Sequence, residues 1–584
     1  MILKNQSLRQ SYGLRGTALL LTLVITGIAV AMAAGILAYS GTNTRLNARA
    51  NQYQRAIAAA EGATEKVVSQ VSRDYLNGGE ALVRSSLNTY RQTSLSQSDS
   101  SYWAGWQFND AAGHSGETFV DVGNANPTVQ LNSAYAGLKA FATTVTVVSN
   151  ARENGGPQDV VGGVLRQLQL ARIPVFQFAL YSAGDMEISC GQPFTITGRV
   201  HSNAQLYVEP DSLMTFQSNV TAVGDILFLR DPLDSRGAPA GSVIYQTEQD
   251  SHVAALTLPI GLTNTPTAIR EIIEPPIAGE DPNSPLGKER YYNQTDMVLV
   301  VTNAGTNFSV TASSGRFNAF ATTIPASELN SFVSTSASFW DARESKTIDP
   351  IDINVAKFTA WSATNTSIRN ALGSKDVSSV YVLDARTLPG TSLGAVRLKH
   401  GAQLPSRGLT LATASPLYVM GDYNQYNSTN LGTADTSTTV PASLASDAIT
   451  ILSSNWHDTN SAADVSTRLA VPTTVNAAIL AGSVETTNGF YGGGMENFPR
   501  FLETWGLSNP FTYNGSMVKM FPSLYATNTW GKANVYGPPK RAWAYDINFD
   551  DPTKLPPLTP SLTKVIRSVW TTVAANQTSL PSGQ

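Results

Sequence analysis

Cysteine is almost missing from the chain. Cys190 is the only one, so no disulfide can form within it and thiolate metal sites are excluded. A single buried structural thiol is what such a residue ordinarily is. Charge is scarce as well: 14% of residues are charged against 42% apolar, and the formal net charge is only -4. Over 584 residues that balance excludes a global attraction to nucleic acid or anionic lipid, so a contact of that kind has to be local. Ser, Thr, Asn and Gly fill the space left by charge, a composition that suits an exported protein with β-rich, turn-bounded surfaces. Length alone implies about three or four domains.

The signatures of chemistry are also lacking. The five histidines (His114, His201, His252, His400 and His457) are scattered, and none forms the helical pair of a metalloprotease. His201, beside Ser202 and Asn203, reads as a turn residue. Gly390-Thr391-Ser392-Leu393-Gly394 matches the nucleophile-elbow string, but Pro389 precedes it and a strand-like segment follows, whereas the elbow needs a strand before and a helix after its serine. Tyr491-Gly492-Gly493-Gly494 has neither the lysine nor the helix start of a phosphate loop. Asp546, Asn548, Asp550 and Asp551 carry oxygen ligands without the spacing of a calcium loop and read as a solvated acidic turn. Lys540, Arg541, Trp543 and Tyr545 form one basic-aromatic cluster, too little in a near-neutral chain to amount to a nucleic-acid signal. No catalytic, cofactor-binding or metal-ligating residue is assigned.

Residues 17–39 have no charge at all, and residues 1–16 hold Lys4, Arg9 and Arg15 with no acidic residue. A positive flank before an apolar run stays in the cytoplasm. The run is about 35 Å long as a helix, enough to cross a hydrocarbon core of about 30 Å. Proline is absent from 17–76, and Leu46, Ala50, Tyr53, Ile57, Ala60, Thr64, Val67, Val71 and Tyr75 recur at spacings of three and four. That is one stripe of an amphipathic helix continuing straight out of the apolar run. Asn77-Gly78-Gly79 supplies its stop.

Arg15-Gly16-Thr17-Ala18-Leu19-Leu20-Leu21 and Ala58-Ala59-Ala60-Glu61-Gly62-Ala63 resemble the PilX N-terminal pattern of minor pilins. The resemblance implies that prepilin peptidase cuts between Gly16 and Thr17, that the new N-terminus is methylated, and that the apolar half-helix packs among other pilin or pseudopilin subunits, with Leu21 and Glu61 as helix-packing positions. Major pilins carry a phenylalanine where Thr17 stands and a glutamate where Leu21 stands. A subunit without that buried carboxylate resembles the tip-located pseudopilins, which need no subunit above them. It would sit as a single-pass inner-membrane protein before assembly and in an extracytoplasmic or cell-surface filament afterwards. Two alternatives remain open: a secretory signal cut before Ala34, since Ala31-Met32-Ala33 satisfies the small-residue rule, and an uncleaved anchor.

The fold class expected is α+β, mainly β: a long pilin-like helix and then a β-rich body. The segments are a basic leader (1–16), the transmembrane and amphipathic helix (17–79), a small pilin-like sheet (80–175), a first β-rich part (176–262), an inserted mixed segment or lid with helices near 326–332 and 355–372 (263–375), a second β-rich part (376–545) and a C-terminal tail (546–584). Strands recur every eight to ten residues in the first part with Asn, Gly and Asp at the corners. This fits a sandwich or, in preference, an irregular parallel β-helix, although no exact repeat is visible. Gly198–Asn203, Pro416–Asn424 and Glu496–Glu503 further resemble large PilX-type proteins of pilus operons. The body then caps or decorates a filament. Alternatively it is a pilin-anchored adhesin or a glycan- or DNA-binding protein, with Tyr207, Trp456, Tyr491 and Trp505 as candidate contacts. A polysaccharide-active enzyme would need carboxylates clustered in one groove, which spacing along the chain does not display.

Overall fold

The computed structural model describes residues 15–131, 135–156, 159–304, 307–313, 324–528, 530 and 535–580. Most of the expected leader, residues 1–14, lies outside them. Helix α1 spans Arg15–Ser85, about 105 Å at 1.5 Å per residue. The glycine stop acts where the sequence places it. Gly79 has φ 65° and ψ -164°, a conformation open only to glycine, so the regular helix breaks there and a last helical turn follows to Ser85.

The helix has two unlike halves. From Leu19 to Tyr39 its large apolar side chains are exposed, whereas Ile57, Ala60, Thr64, Val67, Val71 and Tyr75 of the stripe are buried. Leu46 and Ala50 continue the stripe but lie beyond the reach of the body and stay exposed. What covers the rest is an antiparallel sheet of β1 (Trp106–Asn109), β2 (Phe119–Gln130), β3 (Lys139–Glu153) and β4 (Val161–Pro174), with β1 and β2 both on one edge of β3 and β4 on the other. Ala56, Ala59, Ala60 and Ala63 pack with Phe108, Ala151 and Val164, while Val67, Val71 and Tyr75 pack with Val120, Val145, Val147 and Leu170. At the alanine end the backbones nearly touch: a Cβ on Gly162 would lie 2.6 Å from Ile57 N and 2.7 Å from Ala56 C. Ala56 and Ile57 thus lie directly against a glycine in the sheet.

Residues 546–584 are not a free tail. Ser561–Val573 pairs antiparallel with the outer edge of β4, from Ser561 opposite Pro174 to Val573 opposite Gly163. A register shift between Arg567 and Val569 reverses the side-chain phase halfway along, which breaks the alternation that would announce a strand. The entire β-rich body is therefore inserted between two neighbouring strands of the helix-covering sheet.

In the body, the chain climbs in coils. β5 (Leu180–Ser182), β6 (Met186–Ile188) and β7 (Phe194–Ile196) make one coil; β8 (Val200–Ser202), β9 (Leu206–Val208) and β10 (Leu213–Phe216) the next; β11 (Val220–Ala222), β12 (Ile226–Leu227) and β13 (Ser242–Tyr245) a third, followed by β14 (Gln249–Asp250). Each strand pairs parallel with its counterpart one coil on: Leu180, Val200 and Val220 are in register, as are Met186, Leu206 and Ile226. The period is 20 residues. It is hidden in the sequence because what repeats is burial rather than identity: apolar side chains fill the inside, and short polar residues such as Ser182 and Ser202 bond the corner carbonyls of Asp185 and Gln205.

The two strand-rich blocks are one stack. Met517–Pro522 pairs parallel with β5, and below it Ala478–Ser483, Ala442–Ser446, Leu409–Ala412, Ser379–Asp384 and Met297–Ala304 continue the same ladder. The chain enters in the middle, climbs to β14, crosses to the far end and climbs back. Residues 263–375 are accordingly not a lid. Arg270 in Pro266–Arg270 reaches Asp447 on the ladder's outer side (2.6 Å), whereas Met297–Ala304 is the far-end coil and helices Val355–Thr364 and Thr366–Ala371 cap it with Phe358 and Ile368 in the core.

Candidate anchoring and packing surface

Gly16 and Thr17 lie in the first turns of α1, and Leu21 one turn on is 62% exposed, with no neighbour from the body. Thr22 and Thr26 turn their hydroxyls back onto the carbonyls of Leu19 (2.9 Å) and Thr22 (2.6 Å), so these polar groups ask nothing of the surroundings. The helix satisfies length and hydropathy for a membrane crossing, and its most apolar window is not buried by the protein at all. An uncharged rod of that size needs a bilayer or other helices to cover it.

Glu61 is placed where the helix meets the sheet. Its Oε1 accepts from Arg166 of β4 (2.7 Å); Arg166 also reaches Glu65 (2.9 Å), and Glu65 is bridged in turn to Arg567 of Ser561–Val573. Arg166 is nearly buried, which makes this chain of charges a lock on the rotation of α1 over two strands rather than a loose surface pair. A cavity of about 470 Å³ beside it is lined by Glu61, Arg166, Arg567 and Trp570.

The other sequence candidates fall elsewhere. Tyr207, Trp456, Tyr491 and Trp505 are all buried, with Trp505 only 1% exposed, and are core side chains rather than ligand contacts. His201 is not in a turn but at the centre of β8, fully buried: its Nδ1 lies 2.8 Å from Thr221 Oγ1 and its Nε2 3.0 Å from Asn203 Oδ1, and burial pulls its pKa down to about 4. Ser392 opens a strand, Ser392–Lys399, so the elbow context fails. Asp546 accepts from the Thr436 hydroxyl and Asn548 N, Asp550 from the Tyr545 hydroxyl, and Asp551 from Thr553, three separate turns rather than one ligand sphere. Arg541 is committed to Glu496 O (2.6 Å) and Asn497 Oδ1 (2.7 Å). Gly492–Gly494 is a turn with positive φ at Gly493 and Gly494. His114 lies exposed beside Asp110 and Glu117, its pKa raised by the Asp110 hydrogen bond.

A carboxylate cluster that spacing did not reveal joins Glu187, Glu209 and Glu496. Burial pushes Glu187 up to about 7 and Glu209 up to about 8. Arg230 and Arg236 reach Glu209 at 2.9 and 3.0 Å, and Arg236 stacks on Tyr491. Glu496 accepts from Ser189 N and from the Tyr491 hydroxyl. Glu209 is fully buried and Glu496 3% exposed, whereas Glu187 on β6 is half-buried, so the cluster ties β6, the end of β9 and 491–497 together with only its Glu187 edge near solvent. No local signal marks it, since its members are brought together by the coil period and the β5 joint.

No protein-family model and no curated protein matches the chain. Among solved structures it is similar to the competence-associated pilin ComZ from Thermus thermophilus, at 10% identity over 89% of this chain and 98% of that one, with a TM-score of 0.27. At that score the likeness fixes neither fold nor role, and both rest on the residues described above.

Proposed function

We propose that the protein is a structural minor pilin or pseudopilin of a type IV pilus or related filament, present in low copy or at the tip, and not an enzyme. The observation that carries this reading is the continuity of α1: one rod unbroken as far as Gly79, bare and uncharged over 17–39 and clamped by a sheet from Ala56 onward. A secretory signal has no use for such a continuation. In this reading prepilin peptidase cuts between Gly16 and Thr17, the released helix waits in the inner membrane, and the apolar half then packs among other pilin helices. Leu21 favours an end position, because a helix without a buried carboxylate offers nothing to the terminal amine of a subunit above. The bulk of the stack favours low copy, since a body of this size on every subunit would crowd its neighbours.

An adhesin carried on the same anchor is the second reading, favoured by the length of the stack held away from the membrane. Sequencing the mature N-terminus of protein recovered with sheared filaments tests the proposal. A chain starting at Thr17 and copurifying with filaments is expected; a chain starting at Ala34, or absence from filaments, refutes it.

A further inference from the structure

The two ends of the coil stack are finished differently. One is closed by helices Val355–Thr364 and Thr366–Ala371, whose Phe358 and Ile368 sit in the core. At the other, β12, β13 and β14 are each the last strand of their ladder. Among the described residues no strand pairs with the outer side of any of them. Ser242 N donates to Ser212 O and Gln246 N to Phe216 O, so by the two-residue alternation of a strand the backbone groups of Val243 and Tyr245 point away from β10, into the open. The interior is left uncovered too: the Tyr245 ring stacks on Phe216 with centroids 5.1 Å apart and planes 5° from parallel, and its other face has no ring partner among the described residues. Phe228, Leu229 and Leu233 of the segment between β12 and β13, and Ile244 of β13, are exposed. Stacked repeats ordinarily end in a polar cap, because an open last repeat leaves both core and hydrogen bonds unsatisfied.

The unpaired charge at this end is negative, Asp225 being met by His252 at 3.3 Å. Asp231, Glu248 and Asp250 have no cationic partner among the described residues, while Arg230 and Arg236 are spent on Glu209, Asp211 and Asp234 beneath. No lysine occurs between Lys139 and Lys288. A second copy laid end to end would oppose these carboxylates to themselves, and nucleic acid would oppose them to phosphates. We infer that the open end coil receives an extended segment of another protein, apolar on alternate residues and basic on the others, which adds to the stack as one more strand along Ser242–Tyr245. Its backbone would take up the free groups of Val243 and Tyr245, its apolar side chains would cover Tyr245, and its basic ones would meet Glu248 and Asp250. This inference stands whether or not α1 is a pilin anchor.

The test uses the full chain in detergent and a fluorescent heptapeptide of alternating lysine and valine, with anisotropy as readout. Binding is expected, weakening at least about tenfold when glutamate replaces lysine in the peptide, and by a similar factor in the double variant E248K/D250K. Val243→Pro deletes the outward amide without touching a bond to β10 and should abolish binding; the charge variant keeps the test decisive if that substitution unravels the coil. Equal affinity for basic and acidic peptides, or full affinity in E248K/D250K, overturns the proposal. So does a concentration-dependent dimer in sedimentation that Val243→Pro dissolves, because the occupant would then be a second copy.

Discussion

Replacing Gly162 by alanine should loosen the grip of the sheet on α1. The added Cβ would lie 2.6 Å from Ile57 N, 2.7 Å from Ala56 C and 2.9 Å from Ala56 Cβ. Two of these are backbone atoms in mid-helix, which no rotamer change moves aside, so the axis of α1 has to retreat by about 1 Å to restore ordinary contact. A gap of that size also opens the seam along Ala59, Ala60 and Ala63 and forfeits a quarter to a half of each contact there. Overpacking of this kind costs about 1–3 kcal/mol. Alanine in a strand recovers up to about 1 kcal/mol through lower entropy of the unfolded chain. Because the clash is with backbone, the cost lies in the upper part of that range, about 2–3 kcal/mol, and the net is a loss of about 1–2 kcal/mol, confined to the helix–sheet unit. Amide hydrogen exchange on the full chain in detergent reads it directly: protection from Ala56 to Val71 should fall by about 5- to 30-fold while the coil strands keep theirs. Gly191→Ala, where a Cβ meets nothing within 4 Å, is the matched control. Unchanged protection in Gly162→Ala would refute the close-contact account of the seam.

Arg166→Met should release Glu61 and leave Glu65 to Arg567 alone, at a cost of about 1–3 kcal/mol in the same unit, more than removal of a lone surface pair, and salt titration of thermal unfolding should show the wild type losing more stability than the variant as ionic strength rises. His201 is buried neutral with its pKa near 4, below its value of about 6.5 in the unfolded chain. The unfolded state therefore binds the extra proton between those pH values, and the contribution of His201 to stability should fall as pH drops from 6.5 toward 4, by up to about 3 kcal/mol, against the opposite trend of Glu187 and Glu209. Denaturant melts of wild type against His201→Gln across that window isolate the effect, which should vanish in the variant. Trp505→Ala should cost about 3–5 kcal/mol and lower the denaturation midpoint of the stack, as expected of a core residue rather than a ligand contact.

Spacing along the chain exposes what is local. The stripe from Ile57 to Tyr75 and the short-strand texture after Phe176 are periodicities of two, three and four residues, the break at Gly79 is set by one residue, and the structure holds each at those positions. What was not legible depends on pairing between distant segments. The joint of Met517 to Leu180 makes one stack of two blocks, and the pairing of Ser561 with Pro174 turns an apparent tail into a sheet strand. Nothing near either residue encodes its partner. The aromatics fail for a related reason: a tryptophan in a polar, turn-rich segment looks available until the stack closes over it, as it does over Trp456 and Trp505. The small surface charge of the chain conceals buried Glu209, whose partners lie on other coils or across a turn.

The body leaves the sheet at Pro174 and returns to it at Ser561, and those two residues face each other across one ladder step. Its entry and exit are therefore side by side, like the two ends of a stirrup on one strap. A pull on the stack arrives at β4 and the C-terminal strand together, divided between two long antiparallel runs already riveted to α1 by Glu61, Glu65, Arg166 and Arg567. A pull transmitted through α1 into the sheet alone bypasses the coils entirely. Traction on one part need not unwind the other, which is how a large ornament can be carried on a thin, loaded rod.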